Sequence, residues 1–230
     1  MDFIFMLTRH DRTVEDCLAV LDRVVPLGLA HIGFKDVGVA LPVLRTLNRR
    51  IKEAGATSYM EVVSETPQAA LDSARAAVDI GVDVLLGGTD IDAIQAILAG
   101  TAIACYPFPG RPVGHPTRLD GTPEQIADHC RAFVDKGAAG VDLLAYRATA
   151  AEPLALVRAA RAALGGRGRL IVAGSIDSPA RVRALAGAGA DAFTIGSAIF
   201  DGTFAPGVAD LAARVRAVLD ACRDTRAAAP

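Results

Sequence analysis

Apolar and polar positions form a pattern that repeats along the chain. A short apolar run is followed by a polar or glycine turn, and then by a segment whose apolar residues recur at helical spacing. Several of these segments begin at a proline, which suits the first helical turn, and end at a glycine, which suits a helix terminus. The apolar runs predict strands at 3–7, 31–35, 57–63, 84–86, 103–106, 141–145, 170–173 and 192–195. The amphipathic segments predict helices that begin near Val14, Leu41, Pro67, Ile91, Pro123, Pro153, Pro179 and Val208.

This order of elements predicts an α/β fold, a single (β/α)8 TIM barrel over residues 1–221. The predicted strands are rich in valine, isoleucine, leucine and alanine on both faces, which is typical of a parallel sheet covered by helices. Repeated βα units without a linker favour a closed barrel, with an open doubly wound sheet as the alternative. Residues 222–230 lack apolar periodicity and are expected to fray. The long connection over 107–122, rich in proline and glycine, is expected to form a lid over the barrel mouth.

Composition narrows the classes of protein that the chain can belong to. The 230 residues are 52% hydrophobic and carry a formal net charge of −2, with no basic run longer than Arg49-Arg50. A nucleic-acid partner is therefore not expected. The first apolar run is short and no basic segment precedes it, so neither a signal peptide nor a membrane partner is expected.

The cysteines and histidines lack the common metal-binding spacings. The four cysteines include no CxxC pair, and no HxH or HExxH pattern occurs. We therefore expect no metal, no cofactor and no disulfide framework, and a reducing, cytoplasmic location. A homo-oligomer is compatible with a barrel of this size, although no stripe of residues marks an interface.

Lys35 is the first candidate for chemistry, because it ends the second predicted strand, where barrel enzymes place reacting groups. It is one of only three lysines among 24 basic residues, and the other two lie late in predicted helices. An amine where this chain usually has arginine suggests a group that can lose its proton, with a pKa lowered by burial. Lys35 would then serve as a general acid or base, or form a Schiff base with a carbonyl. A solvated lysine or a salt bridge to Asp36 is the structural alternative.

Two carboxyls are predicted to point into the barrel. Alternation puts Tyr59 and Glu61 on the inner face of the third strand, where Lys35 on the neighbouring strand is the natural partner of Glu61. The pair would be either a proton-transfer couple or a structural ion pair. On the sixth strand, alternation puts Asp142 deep in the barrel, as a catalytic group or as a buried structural acid.

Residues at the predicted barrel mouth are candidates for binding the substrate. Arg147 follows the sixth strand and could hold a phosphate or a carboxylate. For the loop residues, a surface position without such a role is the alternative. The candidates are Arg9, His10, Arg111, Tyr146 and Arg147, with Asp11 and His115 in the same loops.

Two glycine-serine corners predict a phosphate site. Gly174-Ser175 follows the seventh strand and Gly196-Ser197 follows the eighth, with a short helix-like segment after it. Matched corners on neighbouring parallel strands would place several backbone N–H groups around one point, which suits an anion. The last two strands of a (β/α)8 barrel commonly hold phosphate, whereas a single glycine would only turn the chain.

The same stretch resembles the C-terminal quarter of the N-acylmannosamine-6-phosphate 2-epimerase family, barrels of the ribulose-phosphate-binding type. The shared elements are Ala173-Gly174, Ser178-Pro179 and the run from Thr194 to Ile199. The resemblance implies a TIM barrel that binds a small phosphorylated substrate. It does not extend to the reaction, because Glu61 stands on the strand that carries that family's lysine, and Ala173 replaces its acid.

These features together predict an enzyme that acts on a small phosphorylated carbohydrate or keto compound. Proton transfer next to a carbonyl, as in an isomerase or epimerase, is the leading hypothesis, with Lys35, Glu61 and Asp142 as catalytic residues. A Schiff-base aldolase or lyase acting through Lys35 is the second hypothesis. A barrel that binds a phosphorylated metabolite without turning it over is the third.

Overall fold

Eight parallel strands form a nearly closed barrel in the computed structural model, which describes residues 1–63, 66–114 and 117–227. The predicted TIM barrel is confirmed. Around the sheet the order is β6-β7-β8-β1-β2-β3-β4-β5, and the backbone bonds from Ala139 N to Cys105 O and from Asp142 N to Pro107 O, both 3.0 Å, join its two ends. The strands are β1 (Asp2–Met6), β2 (His31–Lys35), β3 (Thr57–Glu61), β4 (Val84–Leu86), β5 (Ala104–Tyr106), β6 (Gly140–Leu143), β7 (Arg169–Val172) and β8 (Ala192–Ile195).

The helices begin where local sequence satisfies their free N–H groups. Thr66 and Thr122 accept hydrogen bonds from the first turns that follow them, and a proline occupies the first helical position after each. The first and last predicted starts were too early, since the structure begins those helices at Cys17 and Leu211. The helices are α1 (Cys17–Val24), α2 (Leu41–Glu53), α3 (Pro67–Ile80), α4 (Ile91–Leu98), α5 (Pro123–Asp135), α6 (Pro153–Leu164), α7 (Pro179–Gly187), α8 (Ser197–Phe200) and α9 (Leu211–Ala227).

The interior of the barrel is apolar at its centre and polar at its carboxyl end. Because side chains alternate along each strand, one face packs against the helices and the other fills the barrel. The inner apolar cluster consists of Ile4, Met6, Tyr59, Val84, Leu86, Tyr106, Ile171 and Ala192. Beyond it, at the carboxyl ends of the strands, lie the buried polar side chains of Lys35, Glu61, Asp142 and Thr194.

Part of the 107–122 connection is packed structure. It contains a hairpin of Arg111–Val113 and Arg118–Asp120, and Leu119 within it is buried. The amide of Thr149 donates to the Leu119 carbonyl at 3.1 Å, which ties the hairpin to the segment after β6. Closure over the mouth stays a prediction, and His115 lies outside the described residues.

The predicted fraying of the C-terminal tail is wrong for residues 222–227. Helix α9 continues to Ala227 because Val215, Val218 and Cys222 extend one buried stripe along it. Residues 228–230 lie outside the described part of the chain. None of the described helices combines the length and the apolar character that crossing a membrane requires.

Candidate active site

Lys35 sits between two carboxylates at the carboxyl ends of β2 and β3. The register of these strands places Lys35 directly beside Glu61. Its Nζ atom lies 3.1 Å from Glu61 Oε1 and 2.8 Å from Asp11 Oδ1. All three side chains are largely buried, so the pair predicted from alternation is present and a second carboxylate joins it.

The two carboxylates set the charge of Lys35. Burial alone would lower the pKa of the ammonium group, but the charges of Glu61 and Asp11 and their hydrogen bonds outweigh it and raise this pKa above its ordinary value. The expectation of a lowered Lys35 pKa is therefore wrong. The sequence offered Glu61 or Asp36 as the partner of the amine, whereas the fold supplies Glu61 and Asp11 together. Lys35 is a fixed cation at neutral pH.

Asp11 is the residue of the cluster to which the sequence assigned no role. It lies in the tight turn of a hairpin formed by Thr8–Arg9 and Arg12–Thr13, and its φ of +58° is left-handed. The hydroxyl of Thr13 accepts from Lys35 N at 2.9 Å and donates to Lys35 O at 2.7 Å, which holds the hairpin against β2. A non-glycine residue in this backbone conformation is uncommon, and here it aims a carboxylate at the ammonium group.

Arg147 reaches across the barrel mouth from the end of β6. Its NH2 atom lies 3.2 Å from Asp11 Oδ1, and its NH1 atom lies 3.4 Å from the Thr117 carbonyl oxygen. Gly174 lies directly beneath the side chain, since a Cβ atom there would stand 2.4 Å from Arg147 Nε. Arg147 therefore links the loops that follow β1, β5 and β7.

The positive groups of Lys35 and Arg147 lower the pKa of Asp11, the carboxyl that they share. Burial alone would raise the pKa of Asp11, but the charges of Lys35 and Arg147 and their hydrogen bonds bring it well below its usual range. Asp11 is thus ionised across the physiological range, and its Oδ1 atom accepts from both cations.

Asp142 lies deep in the barrel, as alternation predicted. Its side chain is fully buried, and neither carboxyl oxygen has a hydrogen-bond partner among the described residues. Burial raises the pKa of Asp142 well above its usual value and the charge of Glu61 adds to this effect, while Lys35 and Arg147 oppose it. These surroundings therefore favour the un-ionised form of the Asp142 carboxyl.

The glycine-serine corners also border the mouth, with Gly174 against Arg147 and Gly196 against Thr8. Gly174 and Ser175 both have left-handed backbones, with φ of +78° and +56°. Gly196 must be small, because a Cβ atom there would stand 2.5 Å from the Thr8 carbonyl oxygen. Within the described part of the chain, the amides of Ser175 and Ser197 donate no hydrogen bond. Such unpaired backbone donors are available to a ligand.

The corners and the charged cluster enclose one cavity of about 260 Å³, which we call the mouth cavity. This volume is slightly below the range common for drug-sized ligands, so the cavity suits a small molecule. Its lining consists of Met6, Thr8, Asp11, Lys35, Glu61, Arg147, the residues 174–177 and 194–198, Asp201 and Thr203.

Arg111 and His10 do not place their side chains in the mouth cavity. Arg111 pairs with Asp120 inside its own hairpin, and its side chain is 75% exposed. The His10 side chain is exposed, and only its backbone amide contributes, donating to Ser197 Oγ at 3.0 Å. Their assignment as substrate-binding residues is therefore not supported by position.

Arg9 and Tyr146 do not line the cavity and contact residues beside it. Arg9 Nε bonds to Asp201 Oδ1 at 2.7 Å, and Asp201 lines the cavity. The ring of Tyr146 lies 4.7 Å from the guanidinium carbon of Arg181, so it supports that residue and does not line the cavity.

In the described ranges, histidine, cysteine and acidic side chains form no group of three that could hold a metal ion.

Comparison with known proteins gives the class of the fold. No protein-family model matches the chain, and no curated protein sequence matches it. A structure described as native KDPGal is similar to it, with 15% identity, a TM-score of 0.66 and coverage of 97% of both chains. Orotidine 5′-phosphate decarboxylase from Pyrococcus horikoshii OT3 is similar at 15% identity and a TM-score of 0.67, over 96% of this chain and 99% of that one.

A third similar structure, mandelate oxidase with (S)-2-phenylpropionate, has 15% identity and a TM-score of 0.68, over 99% of this chain and 73% of that one. At this identity the likenesses establish a TIM barrel and not a reaction. The resemblance of the C-terminal quarter to the epimerase family stays a prediction.

Proposed function

We propose that this chain is an enzyme that transfers a proton next to the carbonyl of a small phosphorylated carbohydrate or keto compound. One observation carries the proposal. A buried ammonium group between two carboxylates, Lys35 with Asp11 and Glu61, lines the same small cavity as the two glycine-serine corners. Such a cavity could bind an anionic group at one wall and polarise a carbonyl at the other.

The corners are proposed to hold the phosphate. The free amides of Ser175 and Ser197 and the guanidinium of Arg147 border the cavity, and together they supply the hydrogen-bond donors and positive charge that a phosphate needs. The two nearby carboxylates, Asp177 and Asp201, are each paired with an arginine, which limits their repulsion of an anion. One similar structure is of a protein named for a 5′-phosphate compound, which is consistent with this proposal.

Lys35 and Glu61 are proposed to carry the proton transfer. Glu61 would take a proton from the carbon beside the carbonyl, and the C–H electron pair would form an enolate. The Lys35 ammonium would stabilise the negative charge that develops on the carbonyl oxygen. The protonated Glu61 would then return the proton to the neighbouring carbon in an isomerase. In an epimerase, the proton would instead have to reach the opposite face of the same carbon.

A Schiff-base mechanism through Lys35 is less consistent with the cluster. Imine formation needs a neutral amine, and the carboxylates raise the pKa of Lys35. Borohydride reduction in the presence of substrate, followed by mass measurement, separates the mechanisms. We expect no adduct on Lys35, and a covalent adduct there would replace proton transfer with the lyase mechanism.

The proposal is tested by incubating the protein in D2O with small phosphorylated ketones and aldehydes. We expect deuterium to enter the carbon beside the carbonyl, and this exchange to be lost in Glu61→Gln. Lys52→Gln is the matched control, because Lys52 is a surface lysine paired with Asp83. Binding of a phosphorylated compound without exchange, unaffected by Glu61→Gln, would instead indicate a non-catalytic binding barrel.

A further inference from the structure

The hairpin that carries Asp11 makes a turn that is unfavourable for its sequence. Its strands are Thr8–Arg9 and Arg12–Thr13, so His10 and Asp11 form a two-residue turn between them. Both turn residues have left-handed backbones, with φ of +50° and +58°. Turns with two such residues favour asparagine and glycine, because other side chains adopt this conformation only at a cost in free energy. Contacts around the hairpin must therefore hold the turn in place.

Two of these contacts come from the segment that follows β8. The amide of His10 donates to Ser197 Oγ at 3.0 Å, and Arg9 Nε lies 2.7 Å from Asp201 Oδ1. Ser197 and Asp201 both line the mouth cavity. The turn is therefore attached to the same corner at which we propose that the phosphate binds.

The hydroxyl group of Ser197 can make one more hydrogen bond. A serine hydroxyl accepts and donates at the same time. Ser197 Oγ accepts from the His10 amide, and within the described ranges its own hydrogen is donated to no other group. Because Ser197 lines the mouth cavity, this hydrogen is available to a ligand there.

The next residue of the turn contacts the charged cluster. Asp11 Oδ1 lies 2.8 Å from Lys35 Nζ and 3.2 Å from Arg147 NH2. Two hydrogen bonds and one peptide link therefore join Ser197 to Lys35, by way of His10 and Asp11. A rotation of the His10–Asp11 peptide would move the Asp11 carboxylate, and with it the ammonium group that it holds.

We propose that Ser197 is a positioning residue that couples the substrate's phosphate to Lys35. This inference rests on the proposed function. The Ser197 hydroxyl donates to a phosphate oxygen while it accepts from the His10 amide, so a bound phosphate fixes the turn. The fixed turn holds Asp11 against Lys35, which keeps the ammonium group in place beside the carbonyl oxygen. Part of the binding energy of the phosphate is thereby used in the chemical step, so a substrate without phosphate loses kcat as well as affinity.

Inorganic phosphate tests this coupling without turnover. In NMR spectra of the isotope-labelled wild-type protein, phosphate should shift the amide signals of His10 and Asp11 together with that of Ser175. In Ser197→Ala, phosphate should still shift the Ser175 signal, whereas the signals of the turn should no longer respond. A turn that responds equally in the two proteins, or that does not respond in the wild type, would overturn the proposal.

Kinetics with a phosphorylated substrate and with the same compound lacking its phosphate test the effect on the reaction. For the phosphorylated substrate, Ser197→Ala should lower kcat by about 10- to 100-fold, the size expected for one hydrogen bond to a charged group. For the compound without phosphate, the rate should change little, because nothing is coupled to the turn. Ser197→Thr keeps a hydroxyl and should recover much of the lost kcat.

Thr122→Ala is the control for a loss of stability alone. It removes the hydrogen bond at the start of α5, away from the mouth cavity, and should lower the melting temperature. The ratio of the two rates, with and without phosphate on the substrate, should be that of the wild type.

The outcomes separate the two claims. If the wild-type protein exchanges deuterium and Ser197→Ala retains full kcat, or slows both substrates equally, the coupling is wrong and the proposed function still stands. If the wild-type protein turns over no phosphorylated carbonyl compound, both are wrong, whatever the NMR spectra contain.

Discussion

The two ends of the barrel differ in how fully their polar side chains are paired. At the amino end, the Tyr59 hydroxyl bonds to His31 Nδ1 at 3.0 Å, and Arg169 pairs with Asp2 at 2.7 Å. At the carboxyl end, Asp142 has no partner among the described residues, and one oxygen of Asp11 serves two cations. Polar groups that satisfy one another stabilise the fold, whereas groups held unsatisfied or shared are available for a ligand.

The largest effect that this contrast predicts is at Lys35. Lys35→Met should lower kcat/KM by about 10³-fold or more, because it removes the charge that stabilises the enolate oxygen. It also leaves Asp11 and Glu61 buried without their cation, so we expect it to cost about 3–5 kcal/mol of folding free energy. Deuterium exchange and denaturant unfolding measure the two effects.

Lys35→Arg separates charge from chemistry, because it keeps a cation in the cluster. It should restore much of the lost stability while activity stays low. Lys52→Met is the surface control, and full activity in Lys35→Met would contradict the account.

The next effect is at the phosphate wall. Gly174→Ala forces a side chain into a left-handed backbone and against Arg147, so KM for a phosphorylated substrate should rise by about 10- to 100-fold. Gly187→Ala in α7 is the matched control, because a Cβ atom there meets nothing within 4 Å. Equal KM values in the two variants would mean that the corner does not hold the phosphate.

Much of the fold could be predicted because local signals agreed with it. The strands at 31–35, 84–86 and 192–195 match the structure to the residue, and the proline helix starts are correct. In such a barrel, a short apolar run is almost always a strand and a proline after a polar turn almost always starts a helix, so these signals leave little choice. The C-terminal tail was misjudged because its apolar stripe is sparse and includes a cysteine, Cys222, which is buried.

The site could be predicted only where side-chain direction follows from strand alternation. Lys35, Glu61 and Asp142 lie on strands, so the period of two and the register fixed where they point. Asp11 and Arg111 lie in hairpins, where turn geometry decides direction. A left-handed turn sends Asp11 into the cavity, and a cross-strand ion pair keeps Arg111 out of it.

A smaller effect concerns the pH dependence of stability. The pKa of Asp11 is lower in the folded protein than in the unfolded chain, so Asp11 binds its proton less readily when folded. Its contribution is therefore present above the unfolded pKa of about 3.9 and is lost as the pH falls through the folded pKa.

Asp11→Asn should accordingly be less stable than the wild type near pH 6, and the difference should shrink at pH values below about 4. Urea unfolding across this range measures the difference. Asp72→Asn, at an exposed ion pair, is the control and should stay within about 0.5 kcal/mol of the wild type. A difference between Asp11→Asn and wild type that does not vary with pH would contradict the prediction.

The smallest effect is expected at the amino end of the barrel. Tyr59→Phe removes the hydrogen bond to His31 and should cost about 1 kcal/mol of folding free energy. Deuterium exchange into the substrate should be unchanged, because this end does not contribute to the mouth cavity. A loss of exchange without a loss of stability would break the contrast between the two ends.

The central claim is that one cavity holds a phosphate at its glycine-serine wall and a proton-transfer cluster at its charged wall. A crystal structure with inorganic phosphate tests it most directly. We expect the anion within hydrogen-bond distance of the Ser175 and Ser197 amides, with Arg147 turned toward it. Phosphate bound elsewhere at saturating concentration, with both corners unused, would contradict the claim.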